Sequence, residues 1–275
     1  MTKVMQKKKQ KKKSLQKKTM ALMGVSLLFL ALIVGLSLER VFNDQTFRVK
    51  SRVKQLEKNK DKDTKARKTV GWLRVQGTNI DYPVLYAPNY SFEYETDDFT
   101  WTEADFKKLN NIVYISGHNI KNLSSSPLIT NKKHTRFEQL MSFTYYNFAK
   151  DNQFIQYTFN GKEYVYRIYA VSYIDISNID LYNKAPYPEE NVQVVIDDTK
   201  EKSIFDYDVD VNNKDKIISL ITCTKMFGEY DDTSFTVNAR LLRKNEKKEL
   251  AKVRKNKQYK IIEEKLKGGD SNDEA

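Results

Sequence analysis

The chain has 275 residues and a formal net charge of +12, and 40% of its residues are hydrophobic and 12% aromatic. This composition excludes an intrinsically disordered chain, and the length accommodates one core of about 100–200 residues with flanking segments. A large positive charge is typical of nucleic-acid-binding proteins, but here the excess of lysine lies at the two ends of the sequence. We therefore expect one folded domain with basic ends, and no nucleic acid among its partners.

The N-terminal part has the pattern of a membrane anchor. Residues 1–19 contain nine lysines and no acidic residue, and residues 20–38 are uncharged and apolar, which is long enough for a helix to cross about 30 Å of hydrocarbon. The polar stripe of a core helix and the cleavage site of a signal peptide are both missing from this stretch. Because the lysines precede the apolar stretch and Glu39 and Asp44 follow it, we expect a single-pass cell-membrane protein with a cytoplasmic N-terminus and an extracellular domain.

A polar segment separates the expected anchor from the folded domain. Residues 39–69 are rich in charge and carry Val53 and Leu56 at helical spacing, which is typical of a juxtamembrane helix or stalk. After this segment the composition changes to short aromatic and β-branched runs separated by turn residues, which predicts strands. The folded domain is expected to cover residues 70–243 and to begin with a hairpin around Gly77.

Further strands and helices are indicated by later patterns. Asn160-Gly161 is a dipeptide that favours tight hairpin turns, and it lies between two alternating runs. The predicted elements, in chain order, are a strand at 111–115, a helix at 135–148, hairpin strands at 153–158 and 164–173, a helix at 201–210, and strands at 216–223 and 234–242. Residues 244–275 are charged and nearly free of aromatics, so we expect a charged tail, helical in part.

The sequence contains a single cysteine, Cys223, and two histidines, His118 and His134. Exported proteins that use cysteine structurally pair it in disulfides, so a lone thiol is either an inert buried residue or a reactive group. His118 follows a predicted strand and a glycine that would let the backbone turn and expose the imidazole. His134 lies among charges in a predicted surface loop. We therefore pair Cys223 with His118, and since no metal-ligand spacing is present we expect neither a metal nor a cofactor.

Three motifs resemble those of the sortase family, and of its class B in particular. Ser219-Leu-Ile-Thr-Cys223 is similar to the family's Thr-Leu-x-Thr-Cys signature, and Gly117-His118-Asn119 is similar to its histidine motif. The segments that begin at Val70 and Gly77 resemble the opening of class B domains. The resemblance implies a mainly β fold with flanking helices: an eight-stranded β-barrel with class B helical additions, one of them between late strands, following an N-terminal transmembrane helix.

The resemblance also implies a reaction. In sortases a cysteine thiolate attacks a threonine carbonyl in the sorting motif of a surface or pilin protein, and an amine resolves the thioester. Here this implies Cys223 as the nucleophile and His118 as its catalytic partner. The implied acceptor is a peptidoglycan cross-bridge amine or a pilin lysine. Groups of Thr222 and Thr224, including backbone N–H, are candidates for substrate or oxyanion support.

The sequence departs from the family at an arginine on the strand after the cysteine. Aligning residues 235–241 with that strand places Ser234, or Thr233, at the arginine position. Arg240 lies about 20 Å from Ser234 at about 3.3 Å per residue, so it cannot simply take that position, and its ordinary role would be a solvated charge at the strand end. Substrate or oxyanion support by Ser234 or Arg240 stays open. Either Lys225 or a polar group replaces the arginine, or the register differs.

Other functions and one further site residue stay open at this point. A membrane-tethered cysteine protease needs the same thiolate and imidazole but accepts water instead of an amine. A catalytically silent sortase-like module that binds a peptide would tolerate the loss of the arginine. Asn89 resembles an asparagine near the class B active site, although loop asparagines mostly form turns.

Overall fold

The computed structural model describes residues 19–20, 23–26, 52–60, 68–86, 100–102, 108–119, 136–175, 189–227 and 233–268. The chain divides into two compact units, residues 1–48 and residues 49–275. In the first unit the described residues are helical. The predicted membrane span lies largely outside the described residues, and among those that are described no helix is long and apolar enough to cross a bilayer.

The second unit contains the strands and helices of the folded domain. The strands are β1 (Lys68–Val75), β2 (Asp81–Tyr86), β3 (Thr100–Thr102), β4 (Ile112–Gly117), β5 (Phe154–Phe159), β6 (Lys162–Asp175), β7 (Phe205–Tyr207), β8 (Ile217–Cys223), β9 (Thr233–Leu241) and β10 (Val253–Lys255). The helices are α1 (Val53–Lys60), a 3₁₀ helix (Arg136–Thr144), α2 (Tyr146–Asp151), α3 (Glu189–Glu201) and α4 (Lys257–Gly268).

Eight strands form a closed barrel in the order β1-β2-β3-β4-β8-β9-β6-β5. The barrel closes where β1 pairs with β5, with Leu73 opposite Tyr157. Leu73, Tyr157, Leu220 and Val237 are among the fully buried side chains of its core. The eight-stranded barrel predicted from the family resemblance is confirmed.

Both predicted hairpins are present, because their turns supply the residues that tight turns require. Gly77 has φ 77° between β1 and β2, and Asn160 and Gly161 have φ 48° and 72° between β5 and β6. Positive φ at two successive residues matches the twist of a tight hairpin, and asparagine and glycine adopt it most readily. The Asn160-Gly161 dipeptide therefore determines the register of β5 against β6.

The helix predicted at 135–148 is a 3₁₀ helix over Arg136–Thr144, followed by α2. Phe137, Leu140 and Phe143 are fully buried and recur every three residues. In a 3₁₀ helix residues three apart lie on one face, so this spacing buries all three side chains together.

The helix predicted at 201–210 is wrong. The helix between β6 and β7 is α3, which ends at Glu201, and it is followed by the strand β7. Val192, Val195 and Ile196 are buried at helical spacing, whereas Phe205 and Tyr207 are buried on either side of an exposed residue, which is the period of a strand. A helix between late strands, implied by class B, is nevertheless present.

The segment expected to be a charged tail is folded as far as residue 268. Strand β10 pairs with β7, and α4 buries Tyr259 and Ile262 against the core of the domain. Asn256 caps α4, since its Oδ1 accepts hydrogen bonds from the N–H of Gln258 at 3.0 Å and of Tyr259 at 3.2 Å. A sparse apolar stripe, one capping asparagine and the pairing of β10 with β7 together hold a segment whose composition is mostly charged.

The described part of the expected stalk lies against the barrel. Leu56 of α1 is buried. Just before the helix, the Arg52 side chain donates to the carboxylate of Asp81, with Nε and Oδ1 3.0 Å apart, and its backbone N–H donates to Glu163. These contacts join α1 to β2 and β6. Helix α1 lies within the segment expected to be a juxtamembrane helix or stalk, and it packs on the folded domain.

Candidate active site

The ends of two parallel strands bring Cys223 and His118 together. Strand β4 pairs in parallel with β8, and the last pair in the register is Ser116 with Ile221. Two residues further along each strand, the same register places His118 beside Cys223. Neighbouring strands are about 4.8 Å apart, so the two residues lie close together at the same rim of the barrel. The topology therefore juxtaposes two residues that are far apart in sequence.

Two hydrogen bonds tie these strand ends to each other. The hydroxyl of Thr222, which is buried, donates to the carbonyl of Gly117 at 2.7 Å. The side-chain amide of Asn119 donates to the carbonyl of Cys223 at 2.9 Å. The hydroxyl of Thr222 thus joins β8 to β4, and its proton points to Gly117 rather than to a substrate. The backbone of Cys223 is held from the histidine side of the rim.

Gly117 is required by packing rather than by a turn. A Cβ atom added at this position would lie 2.5 Å from the ring of Phe137. The backbone N–H of Phe137 also donates to the carbonyl of His118 at 3.1 Å. The 3₁₀ helix therefore holds the backbone at His118 through Phe137. Gly117 was expected to act as a hinge that exposes the imidazole, but in the structure it is needed because only glycine leaves room for the aromatic ring.

Cys223 presents its thiol at the surface, at the exposed end of β8. Partial burial of the thiol by neighbouring atoms raises its pKa above the ordinary value, and a hydrogen bond to the backbone lowers that pKa by a smaller amount. An ordinary cysteine has a pKa of about 8.5, so the thiol form predominates at neutral pH. The site offers an accessible nucleophile that needs a nearby cation to become thiolate.

Thr224 begins the segment that leaves the rim. Its side chain is buried, and its hydroxyl accepts a hydrogen bond from the backbone N–H of Met226 at 3.1 Å. The hydroxyl acts as an acceptor in this turn and keeps its proton, so Thr224 retains two donors, its hydroxyl and its backbone N–H. That N–H belongs to the same peptide unit as the Cys223 carbonyl.

Ser234 lies opposite Cys223 in the antiparallel pair of β8 and β9, and it is buried. The register thus places an uncharged hydroxyl at the position where the family resemblance expects an arginine. Thr233 pairs with Asp175, one step nearer the end of β9. Lys225 is exposed, two residues beyond the thiol.

Arg240 is at the other end of β9, opposite Ile217, and is remote from Cys223. It is buried rather than solvated: its Nη1 and Nη2 donate to the carboxylate of Glu246 at 2.6 and 2.8 Å, and its Nε donates to the carbonyl of Asp210. This bidentate hydrogen bonding lowers the pKa of Glu246 to about 2. Arg240 therefore stabilises the fold, and the expectation of a solvated charge or a substrate contact is corrected.

Two residues considered from the sequence, Asn89 and His134, lie outside the described residues. Conversely, Asn119 and Phe137 form part of the site through hydrogen bonds to the backbone of Cys223 and His118, which the sequence did not predict. The adjacency of Asn119 to the histidine is the one sequence signal that points to it. Among the described residues, no group of three or more His, Cys, Asp or Glu side chains lies together as a metal site would need.

Comparisons with known proteins match this architecture. A model of the sortase domain family matches residues 73–242. The chain is 27% identical over 164 residues to sortase B of Staphylococcus aureus and 26% identical over 168 residues to sortase B of Listeria monocytogenes. These alignments cover 58% and 56% of this chain, and 65% and 62% of the relatives. The chain therefore spans slightly less than two thirds of the length of the curated relatives it matches.

Solved structures show the same fold. Sortase B of Clostridium perfringens superposes with a TM-score of 0.55 at 23% identity, covering 68% of this chain and 100% of that chain. Staphylococcus aureus sortase B in a substrate complex superposes with a TM-score of 0.54 at 23% identity, covering 74% and 91%. The family match runs from β1 to the end of β9 and includes both His118 and Cys223. The chain thus belongs to the sortase family, as a sortase of class B.

Proposed function

We propose that this protein is a cysteine transpeptidase in which Cys223 is the nucleophile and His118 its catalytic partner. The observation that carries the proposal is the parallel pairing of β4 with β8, which brings the two residues to one rim of the barrel. An exposed thiol beside an imidazole is the arrangement that activates cysteine for acyl transfer. The buried hydrogen bond between Thr222 and Gly117 supports the rigidity that such a pair requires.

The proposed reaction has two acyl-transfer steps. The Cys223 thiolate forms a bond to the carbonyl carbon of a sorting-motif threonine, and the carbonyl π electrons move to oxygen. When the carbonyl re-forms, the C–N bond breaks and the imidazolium of His118 gives its proton to the leaving amine. An acceptor amine then attacks the thioester carbonyl carbon and loses a proton to the neutral imidazole. The C–S bond breaks, which releases the Cys223 thiolate and restores the thiolate and imidazolium with which the reaction began.

The electrostatics of the site set a condition on this reaction. Because burial raises the pKa of Cys223, the thiolate is a minor species at neutral pH unless a cation stabilises it. We propose the imidazolium of His118 for this role, and the parallel register of β4 and β8 supports this choice. Ser234 supplies no charge on the other side. We therefore expect the fraction of protein molecules that carry a Cys223 thiolate to be smaller than in an enzyme with a cation on both sides of the thiol.

Substrate and acceptor classes follow from the relatives. Solved complexes of Staphylococcus aureus sortase B include one with its substrate, and a further sortase B structure contains triglycine. We propose by analogy that this protein takes a sorting motif of surface or pilin proteins and transfers it to an amine of a peptidoglycan cross-bridge or of a pilin lysine. The lysine block at 1–19 and the apolar stretch at 20–38 support anchoring in the membrane, with the catalytic domain outside the cell.

Turnover of peptides tests the proposal. The full-length protein in detergent would be incubated with a panel of sorting-motif peptides and an amine such as triglycine, and the products identified by mass spectrometry. Amine-linked product is expected with the wild type and none with Cys223→Ala or His118→Ala. Hydrolysis that leaves the added amine unused would identify a protease instead, because only transfer consumes the amine.

A peptide-binding module without catalysis is the second candidate, and Ser234 in place of the arginine favours it. In that case peptides would bind to the wild type and to Cys223→Ala with equal affinity, and no product would form with any amine. Fluorescence anisotropy with labelled peptides measures the binding, and the turnover assay decides between the two functions.

A further inference from the structure

Asn119 connects the histidine side of the rim to the backbone of the nucleophile. Its Nδ2 donates to the carbonyl oxygen of Cys223 at 2.9 Å. Among the described residues no donor lies within hydrogen-bonding distance of its Oδ1, which is buried. In the described part of the structure, the hydrogen bond to Cys223 is therefore the one interaction that the side chain of Asn119 makes through its polar atoms.

This hydrogen bond also determines where the next N–H points. The carbonyl of Cys223 and the N–H of Thr224 belong to one planar trans peptide unit, in which they point in opposite directions. A donor that holds the carbonyl on one side consequently holds the N–H on the other. The turn closed by the Thr224 hydroxyl and the Met226 N–H restrains the same peptide unit from its C-terminal side.

We propose that Asn119 is a positioning residue that orients the Thr224 N–H toward the oxyanion formed on a substrate carbonyl. The inference rests on the proposed acyl-transfer function. In that reaction the sulfur bonds to the carbonyl carbon, and negative charge develops on an oxygen that lies next to the Cys223 backbone. An N–H fixed in advance stabilises that charge without reorganisation during the reaction.

The surroundings of Cys223 increase the importance of this N–H. Ser234, directly across β9, brings no positive charge to the oxyanion. The hydroxyl proton of Thr222 is engaged by the carbonyl of Gly117, and the hydroxyl of Thr224 is buried and accepts from Met226 while keeping its proton. The Thr224 N–H is thus one of few hydrogen-bond donors described at this rim that could stabilise the oxyanion. The side chain that orients this N–H should therefore have a larger influence on the rate of acylation.

Two reagents separate this role from other effects on the thiol. p-Nitrophenyl acetate acylates the thiolate through a tetrahedral oxyanion and releases p-nitrophenolate. Iodoacetamide alkylates the same sulfur by direct displacement of iodide, with no oxyanion. Cys223 is the only cysteine of the chain, so both reactions report on one atom, and acylation of lysines is subtracted with Cys223→Ala.

The experiment compares the full-length wild type with Asn119→Ala, Asn119→Gln and Asn213→Ala. The last removes a carboxamide from the turn before β8, at the end opposite Cys223, and serves as the matched control. Removal of an oxyanion donor typically costs a factor of about 10²–10³, so misorientation of one by Asn119→Ala should slow acylation by about tenfold or more. Alkylation should keep its wild-type rate, because no charge is added or removed.

The pattern of rates decides the matter. Slower acylation with unchanged alkylation in Asn119→Ala, partly restored in Asn119→Gln, which retains a donor, supports the proposal. Equal losses in both rates would show that Asn119 affects the acidity or access of the thiol, and unchanged acylation would show that the N–H is oriented without it; either result overturns the proposal. Neither reagent needs a sorting peptide, so failure of the transpeptidase function would appear separately, as absence of peptide turnover in the wild type.

Discussion

Ser234 and Cys223 face each other across the antiparallel pair of β8 and β9, so an uncharged side chain stands directly opposite the thiol. Opposed residues in such a pair have Cβ atoms about 4.5–5.5 Å apart. A cation at position 234 would therefore act on the thiol at short range, and the natural serine leaves the thiol without that influence. Burial raises the pKa of the thiol above the ordinary cysteine value, and the uncharged Ser234 does nothing to offset this rise.

Substitution of Ser234 by arginine should restore a low thiol pKa. In the wild type the rate of alkylation by iodoacetamide should reach half its maximum above about pH 8.5, because burial raises the pKa of Cys223. In Ser234→Arg the midpoint should move down by about one unit, since a nearby cation favours the thiolate. Ser234→Gln adds similar volume without charge and should leave the midpoint in place. An equal shift in both variants would rule out the electrostatic explanation.

The C-terminal helix offers a matched pair of isoleucines. Ile262 is 3% exposed and packs on the domain core, whereas its neighbour Ile261 is 51% exposed. Ile262→Ala should lower the free energy of unfolding by about 2–5 kcal/mol, and Ile261→Ala should change it by less than about 0.5 kcal/mol. Urea denaturation measures both. Similar values for the two variants would contradict the docking of α4 on the domain.

Glu246 should make stability depend on acid pH. Its pKa is lowered to about 2 by the hydrogen bonds from Arg240, below the ordinary value of 4.5. The stability from this pair is thus fully present above about pH 4.5 and is lost as the pH falls toward 2, and it amounts to on the order of 2–3 kcal/mol. Glu246→Gln should remove it and flatten this part of the pH profile in thermal denaturation.

The control for this variant is Glu249→Gln. Glu249 is exposed and lies 3.8 Å from Lys247, a surface pair of the kind that contributes about 0–1 kcal/mol. Its loss should leave the acid dependence of stability as in the wild type. Because Arg240 is remote from Cys223, Glu246→Gln should retain the alkylation rate of the thiol under conditions where the protein is folded.

Gly117 and Phe137 should show energetic coupling. Gly117→Ala places a methyl group against the Phe137 ring, which should cost about 1–3 kcal/mol of stability and displace His118. Phe137→Ala removes the Cγ, Cδ1 and Cδ2 atoms that a methyl group at position 117 would meet, and it should make the additional cost of Gly117→Ala smaller in the double variant than in the wild type. A double-mutant cycle by urea denaturation measures this coupling. Strictly additive effects would mean that the glycine is needed for another reason.

Elements with a strong local signal were predictable from the sequence. The alternating strands and the Asn160-Gly161 turn indicated the hairpin β5–β6, which the structure confirms. Residues 244–275 were expected to be a charged tail that is helical in part, but their composition indicated neither β10 nor the packing of α4 on the core, since only a few apolar side chains face the core there. Propensity and composition carry little information where a long-range partner, here β7, decides the conformation.

In the candidate active site, too, the sequence predicted the residue types but not the long-range contacts. Cys223 and His118 could be paired by chemistry, because the sequence offers one cysteine and two histidines. The hydrogen bond from Asn119 to the Cys223 carbonyl joins residues 104 positions apart and follows from the parallel register of β4 and β8. No local pattern encodes such a contact. The burial of Arg240 could not be foreseen either, since its partner Glu246 lies in a segment expected to be a tail.

The central claim is most directly tested by intact mass measurement of the full-length protein, quenched in acid after brief exposure to sorting-motif peptides without any amine. The account predicts an acyl adduct on Cys223 that hydroxylamine removes, that is missing from Cys223→Ala, and that forms far more slowly in His118→Ala. Formation of the adduct at the wild-type rate in His118→Ala would contradict the assignment of the pair. No adduct with any peptide, while iodoacetamide still alkylates the thiol, would contradict the transpeptidase function itself.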